Sequence, residues 1–315
     1  MEQYIAAERR YMESASMYRR CGLSGVLLPK VSLGFWHNFG GNDSYDRSRE
    51  IVRYAFDHGI THFDLANNYG PPYGSAEETL GRLMSDDFRP YRDELFISTK
   101  AGYDMWPGPY GNWGSRKYLM ASLGQSLRRM KLDYVDLFYS HRYDPETPLE
   151  ETLQALTDIV RQGKALYIGI SRWPLEALKF ACDYLRRHDT PLLIYQGRLN
   201  MLDRAPVTEG ILDFCRAEGV GFISFSPLAQ GLLTDRYLNG IPDGSRMTQN
   251  RFLKEDMLTP DLLRHLQQLN REAESQGRTL AEMALRWILE QQGVTSVLIG
   301  ASSTGQLEKN LRCIR

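Results

Sequence analysis

Cysteine is scarce in this chain. There are four in 315 residues, Cys21, Cys182, Cys215 and Cys313, with no CxxC pair. Disulfide-stapled scaffolds are short and cysteine-dense, so a reducing compartment is expected. No run approaches the roughly 18 apolar residues needed to span a bilayer. The first residues carry Glu2, Glu8, Arg9 and Arg10 and no apolar core like a signal peptide's. Excess charge is missing too: a formal net charge of −1 gives no whole-molecule attraction to nucleic acid or an anionic membrane. There is no HExxH motif, and although His58 and His62 stand four apart, Gly59 breaks any helix between them. No metal is expected. These absences leave a soluble cytoplasmic protein without a nucleic-acid or membrane partner.

What remains is ordinary globular material, 42% hydrophobic and 24% charged, long enough to bury a large core. Residues 1–17 read as a loosely specified leader with a helical turn near 6–11, and 18–315 as one domain. Gly22-Leu23-Ser24-Gly25 is a hairpin turn between short strands, and its place ahead of the first long strand suits a plug at the bottom of a barrel. Short strands then alternate with amphipathic helices. Strands are expected over 31–35, 61–64, 95–100, 134–140, 165–171, 192–196, 221–226 and 295–300. Between them lie helices over 46–58, from an N-cap at Ser75, over 115–130, over 149–162, from Pro174 and over 209–217. A long excursion comes after the seventh strand, over 228–259, before helices over 260–276 and 280–290; a last one spans 304–312. Eight such βα units require parallel pairing and match a closed (β/α)₈ TIM barrel better than an open sheet. The open doubly wound alternative wants a glycine fingerprint after its first strand, and Gly34-Phe35-Trp36-His37-Asn38-Phe39-Gly40 is not one.

Active sites of such barrels sit at the C-terminal ends of the strands. There the second, third and fourth strands place Asp64, Lys100 and His141, with Tyr69 in the loop above the second. A tyrosine hydroxyl is a reluctant acid, with a pKa of about 10. A lysine cation beside it is expected to lower that value, a carboxylate to hold the lysine charged, and a histidine to donate to a carbonyl oxygen. Together they suit activation of an aldehyde or ketone for hydride attack. Alone, each of these residues is as well explained by structure, since buried Asp–Lys pairs also occur as plain salt bridges.

The runs Gly59-Ile60-Thr61-His62-Phe63-Asp64-Leu65-Ala66-Asn67-Asn68-Tyr69-Gly70, Ile97-Ser98-Thr99-Lys100 and Asp136-Leu137-Phe138-Tyr139-Ser140-His141 resemble the aldo-keto reductase superfamily. With Pro71-Pro72 and Ala101-Gly102-Tyr103-Asp104-Met105-Trp106-Pro107-Gly108-Pro109-Tyr110-Gly111, they are most similar to one group within it. That group holds the bacterial L-glyceraldehyde 3-phosphate reductases and the β-subunits of voltage-gated potassium channels. The resemblance implies that Asp64, Tyr69, Lys100 and His141 form a catalytic tetrad using NADPH/NADP+. It further implies that Ser171, Arg172 and Gln196 surround the nicotinamide carboxamide and that Phe225 stacks on the ring. Ser226, Leu228 and Gly231 would line the pyrophosphate, and Gly300, Ser302, Gln306 and Asn310 the adenosine end. Arg236 and Arg246 match basic positions that clamp a phosphate, with Arg246 the better choice for a ribose 2′-phosphate.

Trp36, His37, Tyr103, Trp106, Tyr110 and Trp113 lie in loops at the same mouth; of these, Trp36 is assigned to cofactor and substrate, and Trp106 to substrate. Arg142, beside His141, is one candidate cation for a phosphorylated substrate, and an ordinary salt bridge explains it equally well. Two departures stand out. Relatives often carry an acid where Lys309 stands, and they continue past the last helix, whereas this chain stops at Arg315. The second implies a more open pocket or a shortened chain. The leading expectation is an NADPH-dependent reductase of small aldehydes such as glyceraldehyde 3-phosphate and methylglyoxal, assembled as a homo-oligomer. The alternative is a nicotinamide-sensing subunit that binds a partner protein. A barrel isomerase or metal-dependent lyase ranks third.

Overall fold

Strands buried on both faces need cover on each side and a partner at each edge, and a sheet closed on itself has no edges. A computed structural model describes residues 3–12, 14–242 and 253–314 and shows this closure. A hairpin comes first, β1 (Tyr18–Arg20) and β2 (Leu27–Pro29), paired antiparallel with Arg20 opposite Leu27. The barrel is built from β3 (Val31–Gly34), β4 (His62–Asp64), β5 (Phe96–Ala101), β6 (Val135–Ser140), β7 (Ala165–Ser171), β8 (Ile194–Arg198), β9 (Gly221–Phe225) and β10 (Val294–Ile299). All pairs are parallel, and β10 returns to β3 with Val297 beside Val31. This is the (β/α)₈ barrel that the alternation predicts.

The helices around it obey their sequence cues with local differences. Ser44, Ser115 and Thr259 each accept a main-chain N–H at a helix start, and Thr279 with Glu282 forms a reciprocal capping box. Ser75 does not cap, contrary to expectation. Gly74 takes the cap position at φ 88°, which a side chain resists, and Ser75 Oγ turns back to donate to Pro72 O at 2.6 Å. Pro174 stands just before its helix, Leu175–Arg187. β8 runs on to Arg198 because Gly197 and Arg198 keep pairing with Ser224 and Phe225. The described part of the leader is pinned: Tyr4 donates to Asp57 at 2.7 Å, Ala6 N to Tyr91 at 3.0 Å, and Arg10 pairs with Glu94 at 2.8 Å.

The hairpin closes the barrel floor as its position predicts. Leu28 and Cys21 pack beneath Leu137, Tyr139, Leu193, Ile194, Ile223 and Leu298. Arg19 fastens it by donating to Leu289 O and Val294 O at 2.9 and 2.5 Å. Gly169 leaves room for the Tyr139 ring, which a Cβ there would meet at 2.4 Å.

Above the floor the interior turns polar. His62 is wholly buried between Ser32, 2.9 Å from Nδ1, and Ser98, 3.0 Å from Nε2; Ser32 in turn meets Ser296 at 2.7 Å. His58 goes elsewhere, bonding to Tyr54 O at its own helix end. Burial pulls the His62 imidazole from the usual 6.5 down to about 4.

Leu28→Ala should cost about 2–5 kcal/mol of stability, whereas Leu27→Ala, at a position 54% exposed, should stay within about 0.5 kcal/mol; urea titration measures both. Between pH 6.5 and 4 the unfolded chain accepts a proton at His62 that the folded chain refuses. Stability therefore rises with pH across that window and is lost as pH falls. His62→Gln should flatten that fall in the melting temperature, and parallel wild-type and variant curves would rule His62 out as a contributor.

Candidate active site

Along β5, side chains alternate between the two faces of the wall. Thr99 points outward and donates to Glu77 at 2.5 Å, while Ser98 and Lys100 reach the Asp64 side chain inside the barrel. Lys100 is fully buried, and its ammonium spends its three hydrogens on three acceptors. Nζ lies 2.5 Å from Asp64 Oδ2, 2.6 Å from Leu65 O and 3.4 Å from Tyr69 Oη. The other Asp64 oxygen accepts from Ser98 Oγ at 2.7 Å and Gln196 Nε2 at 3.2 Å. Because Lys100 donates to the Tyr69 oxygen, the phenol keeps its own proton for another acceptor.

His141 completes the group, with its ring 5.9 Å from that of Tyr69 and edge-on to Tyr103 at 4.7 Å. Its buried Nδ1 has no partner among the described residues. Burial, then the charges of Lys100, Arg172 and Arg142, hold its pKa well below the usual value, so it is a neutral imidazole at pH 7. The four residues predicted from separate strand ends thus meet in one place.

One electrostatic expectation is reversed. Lys100 was to make Tyr69 more acidic, but burial, then the charge of Asp64, holds the phenol well above its ordinary value. Burial also lowers Lys100, opposed by Asp64. Desolvation disfavours both ionised forms, and at 3.4 Å the lysine does not offset it. Tyr69 is therefore a proton-bearing acid in the resting protein.

The described residues assigned to the cofactor, Trp36 apart, lie in or after β7, β8, β9 and β10. Ser171 and Gln196 are buried neighbours in register on β7 and β8, and Phe225 ends β9 half-buried. Arg172 takes a left-handed φ of 57° and donates to Tyr103 Oη at 3.1 Å. After β9, Ser226, Ala229, Gln230 and Gly231 all have positive φ, around Leu228. The loop is tied to itself, the N–H groups of Ala229, Gly231, Leu232 and Leu233 donating to carbonyls of Ser226, Leu228, Ala229 and Leu228. Gly300 comes just after β10, and Ser302 is joined to Gln306 through Oγ and N at 3.0 and 2.9 Å. Asn310 lies on the same helix, buried, with Nδ2 unpartnered among the described residues. That orphaned donor fits the adenosine end of a dinucleotide. Arg236 is exposed in a short turn, Asp235–Tyr237, and Arg246 lies outside the described residues.

The substrate-side assignments resolve differently. Trp106 packs its ring 5.2 Å from Tyr118 and is partly buried against the core. The Trp36 ring lies tilted against His37, with centroids 4.3 Å apart. Arg142 is sandwiched between Trp113, 3.6 Å away, and Tyr103, 4.4 Å away. It donates to Gly102 O and Asn112 Oδ1, both at 2.7 Å, and so braces the loop after β5.

Residues that the sequence reading did not single out also shape the site. Ser98 could have been found, since it precedes Lys100 by two and must share its face. Asn67 donates to Tyr118 Oη at 3.0 Å, Asn200 to Ser226 O at 3.0 Å and Asn38 to Ala301 O at 3.1 Å. These bonds join loop to loop or, for Asn67, loop to the helix Arg116–Met130, and carry no periodic signal.

Comparison with known proteins agrees with this geometry. The chain is 56% identical over 315 residues to the L-glyceraldehyde 3-phosphate reductase of Escherichia coli (strain K12), covering 99% of this chain and 90% of that one. It is 34% identical over 304 residues to a probable voltage-gated potassium channel subunit beta of Arabidopsis thaliana, covering 94% and 90%. The model of the aldo/keto reductase family matches residues 30–315, and with a closed eight-stranded barrel carrying Asp64, Tyr69, Lys100 and His141 together, the chain belongs to that family of oxidoreductases.

Proposed function

We propose that the protein reduces small aldehydes and ketones, glyceraldehyde 3-phosphate and methylglyoxal among them, to alcohols with NADPH, using Tyr69 as general acid. The observation that carries this is the Lys100 ammonium, shared between Asp64 and the Tyr69 oxygen in a fully buried position. NADPH, when bound, supplies the hydride that goes to the carbonyl carbon. Tyr69 gives its proton to the carbonyl oxygen, and Lys100 stabilises the phenolate left behind. His141, neutral, has one N–H to give, which orients the carbonyl oxygen toward Tyr69. A high resting pKa does not oppose this, because an alkoxide is a far stronger base than a phenolate.

Ser171, Gln196, Arg172, Trp36 and Phe225 would hold the nicotinamide end. The loop through Ser226, Leu228 and Gly231 would hold the pyrophosphate, Arg236 would clamp a phosphate, Arg246 the ribose 2′-phosphate, and Gly300, Ser302, Gln306 and Asn310 the adenosine. On the substrate side the reading keeps Trp36, Trp106 and Arg142. Arg142 pairs with no carboxylate among the described residues, which supports a positive mouth for an anionic substrate. The reading also includes a cytoplasmic location and a homo-oligomer; no described helix is long and apolar enough to cross a membrane.

NADPH oxidation with DL-glyceraldehyde tests the proposal. Tyr69→Phe should lower kcat by roughly 10²–10⁴-fold while NADPH still quenches the protein's fluorescence at wild-type concentrations. Lys100→Met should likewise lose turnover and keep the cofactor. A collapse of cofactor affinity with a normal rate per bound enzyme would refute the role of Lys100. Tight NADPH binding with no turnover of any carbonyl tested would instead favour a cofactor-sensing subunit, as the 34% identity to a channel subunit allows.

A further inference from the structure

The polar layer of the barrel interior runs without a break into the site. Ser296, Ser32, His62, Ser98 and Asp64 are linked at 2.7, 2.9, 3.0 and 2.7 Å, and all five are buried. The direction of each bond is fixed from one end. The Asp64 carboxylate accepts only, so Ser98 donates its single hydrogen to Oδ1. The Ser98 oxygen must then accept from His62 Nε2–H, which leaves Nδ1 to accept from Ser32, and Ser32 to accept from Ser296.

We propose that His62 is a positioning residue for this reaction: acting through Ser98, it fixes the rotation of the Asp64 carboxylate that holds Lys100 against Tyr69. This rests on the reductase reading. His62 touches neither substrate nor cofactor position; its ring is edge-on to Phe96 at 5.4 Å. With its pKa near 4 it stays neutral above pH 5, a fixed donor and not a titrating base. Without that donor Ser98 is free to turn toward Phe63 O, already 3.5 Å away, and Oδ1 keeps only Gln196. A carboxylate so loosened tilts the Lys100–Tyr69 contact, and small misplacements of reacting groups are costly.

In the full-length enzyme with NADPH and DL-glyceraldehyde, His62→Phe should lower kcat by roughly 10–100-fold and leave KM and NADPH affinity at wild-type values. It should also enlarge the solvent deuterium isotope effect on kcat, since proton delivery by Tyr69 becomes slower. His62→Gln, whose amide offers a donor and an acceptor spaced much like the ring nitrogens, should restore most of the rate. Ser98→Ala should reproduce the His62→Phe effect, and the double variant should be no worse than either single one. Should His62→Phe fail to fold, the Ser98→Ala and His62→Gln arms carry the same comparison. Wild-type kcat and isotope effect in His62→Phe or Ser98→Ala, or independent losses in the double variant, would overturn the proposal. A nitrogen-15 spectrum of histidine-labelled protein supplies a readout apart from turnover. The resonance missing from His62→Gln should show a neutral Nε2–H tautomer at pH 7, and an Nδ1–H tautomer would overturn the chain of donors even in an active enzyme. Failure of the wild type to reduce any carbonyl, with the Nε2–H tautomer present, would instead overturn the reductase reading and with it the reaction that His62 serves.

Discussion

A carboxylate and an ammonium group 2.5 Å apart, each almost wholly removed from water, set the constraint on which this site depends. Burying either ion alone costs several kcal/mol even after relaxation, and their attraction offsets this only where every remaining hydrogen and lone pair is satisfied. Here that condition is met. Lys100 has three acceptors, and Asp64 has donors on both oxygens. The partners come from β4, β5, β8 and the start of the loop after β4, so the pair is held by the closed wall and not by one flexible segment. An ammonium kept in place at such cost is most readily understood by what it touches next, the Tyr69 oxygen.

The same pair explains why burial does not defeat the site. Desolvation pushes Tyr69 toward its neutral form and pulls Lys100 the same way. The two effects act on different ends of the proton transfer. A neutral phenol is what an acid must be before reaction, and the lysine matters when the phenolate forms. A resting structure that disfavours phenolate while keeping a cation within 3.4 Å of it is matched to the later state, in line with a site complementary to the transition state.

Much of this was legible in the residues alone. Eight alternations of strand and helix, with no glycine fingerprint after the first strand, point to closure, and closure brings Asp64, Lys100 and His141 to one rim. What escaped is where periodicity carries no information. Ser75 looked like a cap until the left-handed Gly74 took that place. Arg142 is visible in the sequence as a cation beside His141, but not the two aromatic faces and two loop acceptors that hold it, which come from Tyr103, Trp113, Gly102 and Asn112, all tens of residues away. The fall in the Tyr69 pKa expected from a nearby lysine was reversed because burial is a property of the whole fold and no local run of residues encodes it. The leader, unremarkable in composition, is pinned by Asp57, Tyr91 and Glu94 from later elements.

On the proposed reading the barrel divides its labour by halves. The residues assigned to proton transfer come from β4, β5 and β6 and the loops above them, whereas every residue assigned to the cofactor except Trp36 lies from β7 onward. A bond across the middle joins the halves, from Gln196 on β8 to Asp64 on β4, at 3.2 Å. Such an arrangement lets one half change without dismantling the other. In this chain the buried ammonium group has a phenol within reach, the Tyr69 oxygen at 3.4 Å.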